Sequence, residues 1–532
     1  MDNIQSPTKP ESQISIDDGY DAKAMHEKGG TAGDAVEMAR MGKAQELRRN
    51  FKFVAILGFV SLLQATWEST LLANWNGLYN GGSGGVIWCT IAVWVLMGCT
   101  IASLAEMASM APTAGGQYHW VSEFAPRSLQ GPLSYVVGWF CCLGWVAGVP
   151  SCCVQLAGVV QAMVAIQYPN AGFYGNWQTT LLIFLFLFLT VGFNIFGARH
   201  LPLVEGLILF LHIFAFFAFL LTMWIIPGPD GHASASEVFT TFNNGGSWSS
   251  IGVSCLVGLT TPIWCFIGPD AGAHMSEEMK DASLQLPRAM MWAIIGNGVL
   301  GVVMLITFCF CVTDLQTLLN SDSDYPIIQV LYESTGSYAA TCVLGSVLVI
   351  LLFFTTVTTI ASSSRQIWAF SRDEGFPFSN WIRYVPPAWE IPVNSLIVCL
   401  CVSLIISVIN FGSDTTFTAI TSVSNAALLF TYIISIGCLR LKRLRGEPLL
   451  PGRWSLGRFG GITNDISIAF LMVSFVFSFF PTSPYTSDAN WWAEDANYAI
   501  FIFAFIALIA AVYYVCGGRR RYVAPVLLVK QE

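Results

Sequence analysis

The sequence predicts an all-α polytopic membrane protein with twelve transmembrane helices, and three observations carry that expectation. Of the 532 residues, 54% are hydrophobic and only 11% are charged, whereas soluble domains run near one quarter charged. Apolar stretches long enough to cross a bilayer, about 20 residues each, occur twelve times. The Lys and Arg residues fall on one side of the resulting topology and leave the other side without any. Together these exclude a string of soluble domains, a disordered chain and a nucleic-acid binder.

The predicted spans lie at 53–79, 86–110, 131–166, 178–198, 203–226, 249–275, 289–313, 338–361, 392–411, 415–439, 465–481 and 497–516. Cytoplasmic loops carry the excess of Lys and Arg, so the charges test the count. The segment through Lys52 holds eight bases. Arg127, Arg199, Lys280 and Arg288 follow in the even-to-odd loops, then Arg365, Arg372 and Arg383 after span 8. Six more follow span 10, from Arg440 to Arg458, and Arg519, Arg520, Arg521 and Lys530 close the chain. That accounts for all 25, while the opposite loops hold only acids such as Asp230, Glu237, Asp322 and Glu494. One miscounted span would invert every loop after it. The expectation is an integral protein of the plasma membrane with both termini in the cytoplasm.

Outside the spans, residues 1–50 mix nine acids and seven bases with no apolar period and read as a disordered cytosolic tail. Residues 51–520 form the membrane domain and 521–532 a short cytosolic tail. No secretory signal or glycosylation sequon is evident. Most of the 15 Cys, among them Cys141, Cys142, Cys152, Cys153, Cys309 and Cys399, lie in apolar runs and act as small hydrophobes. No CxxC pair couples to His, so neither a metal nor a cofactor is expected. Glu277-Glu278 reads as part of a solvated loop.

Several residues inside the spans break the rules of a purely structural bundle. Span 1 carries Gln64, Thr66, Trp67, Glu68 and Ser69 in sequence, and an ionised acid at mid-membrane costs about 3 kcal/mol or more. Glu68 is therefore either a buried link between helices or an acid lining a water-filled path. Span 6 packs Pro262, Gly268, Pro269, Asp270 and Gly272 around Trp264 and Ile267, which no continuous helix tolerates well; it is either kinked or interrupted. Irregular backbone survives in lipid only where protein or a cavity covers it. Spans 1 and 6 lie five apart, as in a 5+5 inverted repeat whose first helices are broken around the substrate. His212 in span 5 can titrate near neutral pH and carry a proton, or simply bond a neighbouring helix. The hydroxyls of span 8, Thr355 to Ser364, can face a cavity or pack helices together.

Four local motifs carry a resemblance. They are Glu106 followed by Pro112-Thr113-Ala114-Gly115-Gly116-Gln117-Tyr118; Trp264-Cys265-Phe266-Ile267-Gly268-Pro269-Asp270; His274 to Asp281 ending in Pro287-Arg288-Ala289; and Arg365 to Pro377 with Arg372-Asp373-Glu374-Gly375. Over about residues 50–520 the chain resembles the amino acid–polyamine–organocation superfamily, specifically the fungal amino acid, GABA and choline permeases. The resemblance implies a LeuT-like fold and secondary active uptake, commonly driven by protons. By the same resemblance Trp264 closes over the substrate, Asp270 is a gate residue, and His212 matches the position of a span-5 Lys in some prokaryotic relatives.

One departure bears on the substrate. Relatives carry a small-residue break in span 1 whose bare amides take a carboxylate, and this chain has Trp67-Glu68-Ser69 there. Trp67 and Glu68 suit an ammonium or quaternary amine by charge and cation–π attraction. The expected substrate-binding set is Gln64, Thr66, Trp67, Glu68, Ser69, Trp264, Ile267, Gly268 and Asp270, with His212 and Glu68 for proton coupling. The expected function is a proton-coupled importer of a small amine-bearing nutrient (an amino acid, GABA, choline or a polyamine) by alternating access. The alternative is a non-transporting nutrient sensor on the same fold. An enzyme is not expected.

Overall fold

The computed structural model describes residues 28–173, 175–226, 228, 231–319, 325–411, 416–487 and 491–528. Twelve of its helical segments are long and apolar enough to cross a membrane. Spans 1 to 6 are Phe53–Leu72, Trp75–Met110, Gln130–Gln167, Asn176–Phe196, Ala198–Ile225 and Ile251–His274. Spans 7 to 12 are Ala282–Cys311, Tyr338–Arg372, Val393–Phe411, Thr418–Leu444, Gly457–Phe477 and Ala499–Leu527. No strand occurs among the described residues, only two isolated bridges. The protein is an integral membrane protein.

Burial sorts the spans into an inner and an outer group. Spans 1, 3, 6 and 10 are mostly enclosed by protein, while spans 4, 5, 9, 11 and 12 turn most of their residues outward. The outward side chains are large and apolar, such as Phe188, Phe214, Ile405 and Phe505, as a lipid-facing surface requires. Spans 1 and 6, 2 and 7, 3 and 8, and 4 and 9 pack against each other. Helices five apart in sequence therefore sit as partners. That is the pairing a 5+5 repeat produces.

Several boundaries differ from the sequence reading, by up to eleven residues. Span 1 ends at Leu72, not near residue 79, and Trp75 opens the next helix. That helix bends at Gly82, whose φ is +69° and whose Cα lies so close to the 241–243 loop that a Cβ would meet Thr241 O at 2.7 Å. Only glycine fits there. Span 8 runs on to Arg372, so its hydroxyl-rich and basic end is helical and buried rather than a loop.

Residues 28–50 also depart from the expected disordered tail, whose first 27 residues lie outside those described. Thr31 caps a helix over Ala32–Arg40 in a capping box with Asp34. Met38, Met41 and Leu47 are buried. The cause is tertiary rather than local: Asp34 accepts the backbone N–H groups of Asp281 and Ala282 at 3.1 and 3.3 Å at the start of span 7. A carboxylate there satisfies helix-terminal donors and complements the helix dipole. At the other end of the chain, Val523 N–H bonds Asp373 O and Val526 N–H bonds Ser122 Oγ, so the C-terminal segment through Leu528 packs on the same face.

Candidate functional site

The site is organised by two interruptions. In span 1 the helix Phe53–Gln64 stops at Ala65, which takes a left-handed conformation (φ 39°, ψ 46°), and restarts at Thr66. In span 6 the helix Thr260–Phe266 stops at an extended Ile267, and Gly268 follows with φ +129°. A Cβ on Gly268 would lie 2.7 Å from Leu63 Cδ2, so glycine lets the two interruptions touch. Freed carbonyls at membrane depth must find donors. Thr66 Oγ1 donates to Cys265 O at 2.9 Å, and Gln64 Nε2 to Phe266 O at 3.4 Å. The sequence reading placed the span-1 break at Trp67–Ser69; the left-handed residue lies two positions earlier.

Beside these interruptions lies a narrow cavity, about 480 Å³ counted with the open space at its mouth. Gln64 and Ser69 line it from span 1, Trp264 and Ile267 from span 6, and Thr355 and Thr359 from span 8. Span 3 presents Trp145, Gly148, Cys152 and Gln155, and span 10 presents Ser424 and Leu428. None of these described lining residues is charged. The cavity is aromatic and weakly polar.

Sequence reasoning missed the span-3 and span-10 walls. The signal was present in span 3, where Trp145, Gly148, Cys152 and Gln155 recur at helical spacing on one face. Gln155 is 2% exposed with its Nε2 unpartnered, an unsatisfied donor beside an empty space. The span-8 hydroxyls divide between both readings. Thr355 and Thr359 face the cavity, whereas Ser362 bonds Ala271 O and Ser363 bonds Trp145 O across helices.

Thr66, Trp67, Glu68, Gly268 and Asp270 do not line the cavity. Trp67 and Glu68 face span 5. Glu68 Oε1 lies 2.6 Å from His212 Nδ1, and Trp67 Nε1 lies 3.1 Å from the same nitrogen. Phe216 and Phe219 close the apolar side of the Trp67 ring. One nitrogen cannot accept from Trp67 and donate to Glu68 together. When it accepts from the indole, Glu68 must hold the proton; when it carries the proton itself, it donates to Glu68. Glu68 and His212 are each 1% exposed.

Asp270 is bonded away from the cavity. Its Oδ1 accepts from Tyr432 Oη at 2.6 Å and its Oδ2 from Gln117 Nε2 at 2.5 Å. It thus ties the second half of span 6 to span 10 and to the helix Gln117–Phe124.

The face carrying the basic residues is closed by ion pairs, and here three of the four sequence motifs meet. Arg372 holds Glu277 with two hydrogen bonds, 2.8 and 2.6 Å, and Ala114 N–H adds a third at 3.2 Å. Burial alone would raise the Glu277 carboxyl, but Arg372 and these donors hold it down to about 2. Arg365 pairs with Glu278 at 2.7 Å and Arg443 with Glu106 at 2.5 Å. Asp373 takes Lys43 and the Tyr118 hydroxyl. Arg49 binds Asp34 and the carbonyls of Ser276 and Met279. Glu277 and Glu278 are buried, so the solvated-loop reading is corrected: each has an arginine from span 8 that local sequence could not reveal.

Residues 54–515 match the family model described as amino acid permease. The chain belongs to the amino acid permease family. Among curated relatives, this permease is 30% identical to a protein of Macrophomina phaseolina named for amino acid/polyamine transport, over 80% of this chain and 94% of that one. It is 28% identical to an uncharacterised amino-acid permease of Schizosaccharomyces pombe, over 93% and 90% of the two chains. It is 27% identical to the choline transporter of Saccharomyces cerevisiae, over 90% and 83%. The permease is thus similar to transporters along nearly its whole length, and the superfamily resemblance read from the four motifs holds.

Proposed function

We propose that this permease imports a small amine-bearing nutrient by proton-coupled alternating access, with the substrate held in the cavity between spans 1, 3, 6, 8 and 10. The observation that carries the reading is a cavity with two Trp walls and no charged lining side chain, set against the interruptions of spans 1 and 6. Trp145 and Trp264 line the cavity, and their rings would hold a cationic head by cation–π attraction. Gln64, Ser69 and Gln155 supply neutral polar contacts for a hydroxyl or carboxylate. Such a lining favours choline or an ω-amino acid such as GABA over a polyamine, whose several charges would lack counter-ions. Among the relatives one is named for choline transport and another for amino acid/polyamine transport, so the preference rests on the lining.

In this reading the roles differ from those the sequence suggested. Gln64, Ser69, Trp264 and Ile267 contact substrate. Thr66 and Gly268 hold the interruptions together, and Asp270 is the gate tie that must break on the basic side. The Glu68–His212 pair carries the coupling proton, with Trp67 reporting which partner holds it. Both termini lie in the cytoplasm of a plasma-membrane protein. The test is uptake of radiolabelled choline, GABA and an amino acid panel, with and without a protonophore. Saturable accumulation that collapses with the proton gradient is expected; accumulation that survives it would sink the coupling.

A further inference from the structure

Two turns along span 5 from His212, on the same buried face, lies a second ionisable residue. Glu205 is 0% exposed. Its Oε1 accepts from Thr358 Oγ1 of span 8 at 2.9 Å, and its Oε2 has no partner. Span 1 presses against it: a Cβ on Gly58 would come within 2.5 Å of Glu205 O.

Among the described residues no cation pairs with this carboxyl. The elements packed against span 5 are the first half of span 1, spans 7 and 8, and the helix Pro326–Thr335. That half of span 1 carries no charged side chain. On span 7 Arg288 is exposed. On span 8 Arg365 and Arg372 are taken by Glu278 and Glu277. Glu333 of the short helix bonds Gln329, and Glu68 is bonded to His212. A buried carboxylate with one hydroxyl donor and no counter-charge is strongly disfavoured, so in this conformation the group holds its proton.

Seven residues of helix place Glu205 about 10 Å from His212 along the axis, toward the basic face. We propose that Glu205 is a second proton-carrying residue of the transport cycle, lying between the Glu68–His212 pair and the basic face. The inference rests on the proton-coupled reading above. When span 1 moves off span 5, water reaches the carboxyl, the proton leaves to that face, and a carboxylate remains. The proton released by the Glu68–His212 pair then restores the acid. One proton enters from the opposite face and one leaves per turnover.

The test is Glu205→Gln in proteoliposomes, using choline or whichever of GABA and the amino acids the uptake panel shows to be carried. Gln keeps an acceptor for Thr358 but carries no exchangeable acid proton. Substrate counterflow, which needs no net proton movement, is expected within about twofold of wild type, while substrate-driven proton uptake falls by about tenfold or more. Glu205→Asp is expected to restore proton uptake. If Glu205→Gln fails to fold, judged by lost counterflow, Glu205→Asp still decides: a proton uptake whose pH profile is unchanged from wild type overturns the inference, and a displaced profile supports it. Full proton coupling in a folded Glu205→Gln overturns the inference alone. A wild type that moves no proton overturns the coupling reading, and this inference with it.

Discussion

The cavity and the basic face of this permease solve opposite problems with opposite chemistry. Around the cavity, spans 1, 3, 6, 8 and 10 present aromatic, amide and hydroxyl groups and no charge. At the basic face, buried acids and bases pair across at least five segments, with Glu277, Glu278, Glu106, Asp373 and Asp34 all engaged. The difference teaches where each kind of interaction is useful. A transport site must release its ligand, and neutral contacts with cation–π attraction are weak enough for that. A seal must be closed in one state and open in the other, and a set of buried ion pairs is strongly bistable: costly to leave half-made, tolerable when hydrated.

The largest effect should follow from breaking the seal at its centre. Arg372→Ala leaves Glu277 buried without its bidentate partner and also removes a cation stacked 4.3 Å from the Trp368 ring. Breaking a buried pair in this way costs about 3–5 kcal/mol. The expected outcome is a large drop in monodisperse protein and in melting temperature; an unchanged melting temperature would show that the pair is not a structural seal.

A smaller effect is expected where the N-terminal segment joins the seal. Lys43 is buried, and burial lowers its amine against the raising pull of Asp373. Lys43→Ala leaves Asp373 with the Tyr118 hydroxyl, so about 1–3 kcal/mol is lost. The readout is limited proteolysis of residues 28–50, which should cleave faster while the membrane domain stays intact. Equal cleavage in variant and wild type would mean that this ion pair does not hold the segment down.

The smallest effect concerns acid. Glu277 is depressed from an ordinary 4.5 to about 2. A depressed carboxyl contributes stability that is present above its unfolded value and lost as pH falls through its folded value. From pH 7 to 5 this group should therefore leave the melting temperature unchanged, and its contribution should fade only between 4.5 and about 2. Glu277→Gln should lack that acid-dependent component. A wild-type loss centred near pH 6 and abolished by Glu277→Gln would contradict the pairing.

The sequence made the spans and their breaks legible because lipid permits few alternatives. Long apolar runs can only be helices, and Gly268-Pro269 cannot continue one. It did not show the direction in which a fully buried helix points. Residues 66–72 are buried on every side, so periodicity could not say that Trp67 and Glu68 face span 5 while Ser69 faces the cavity. Nor could local pattern show that Glu277 meets an arginine 95 residues away. The folded 28–50 segment was hidden for the same reason: Asp34 and Arg49 look like tail charges until span 7 and the Ser276–Met279 carbonyls are placed beside them.

The central claim is that substrate binds in the uncharged cavity rather than at the charged groups. Direct binding of radiolabelled choline, with GABA as competitor, to purified wild type and Trp264→Ala tests it. The predicted result is affinity at least about tenfold weaker in Trp264→Ala, roughly the loss of a desolvated cation–π contact, with the melting temperature retained. Unchanged affinity in a folded Trp264→Ala would contradict the account.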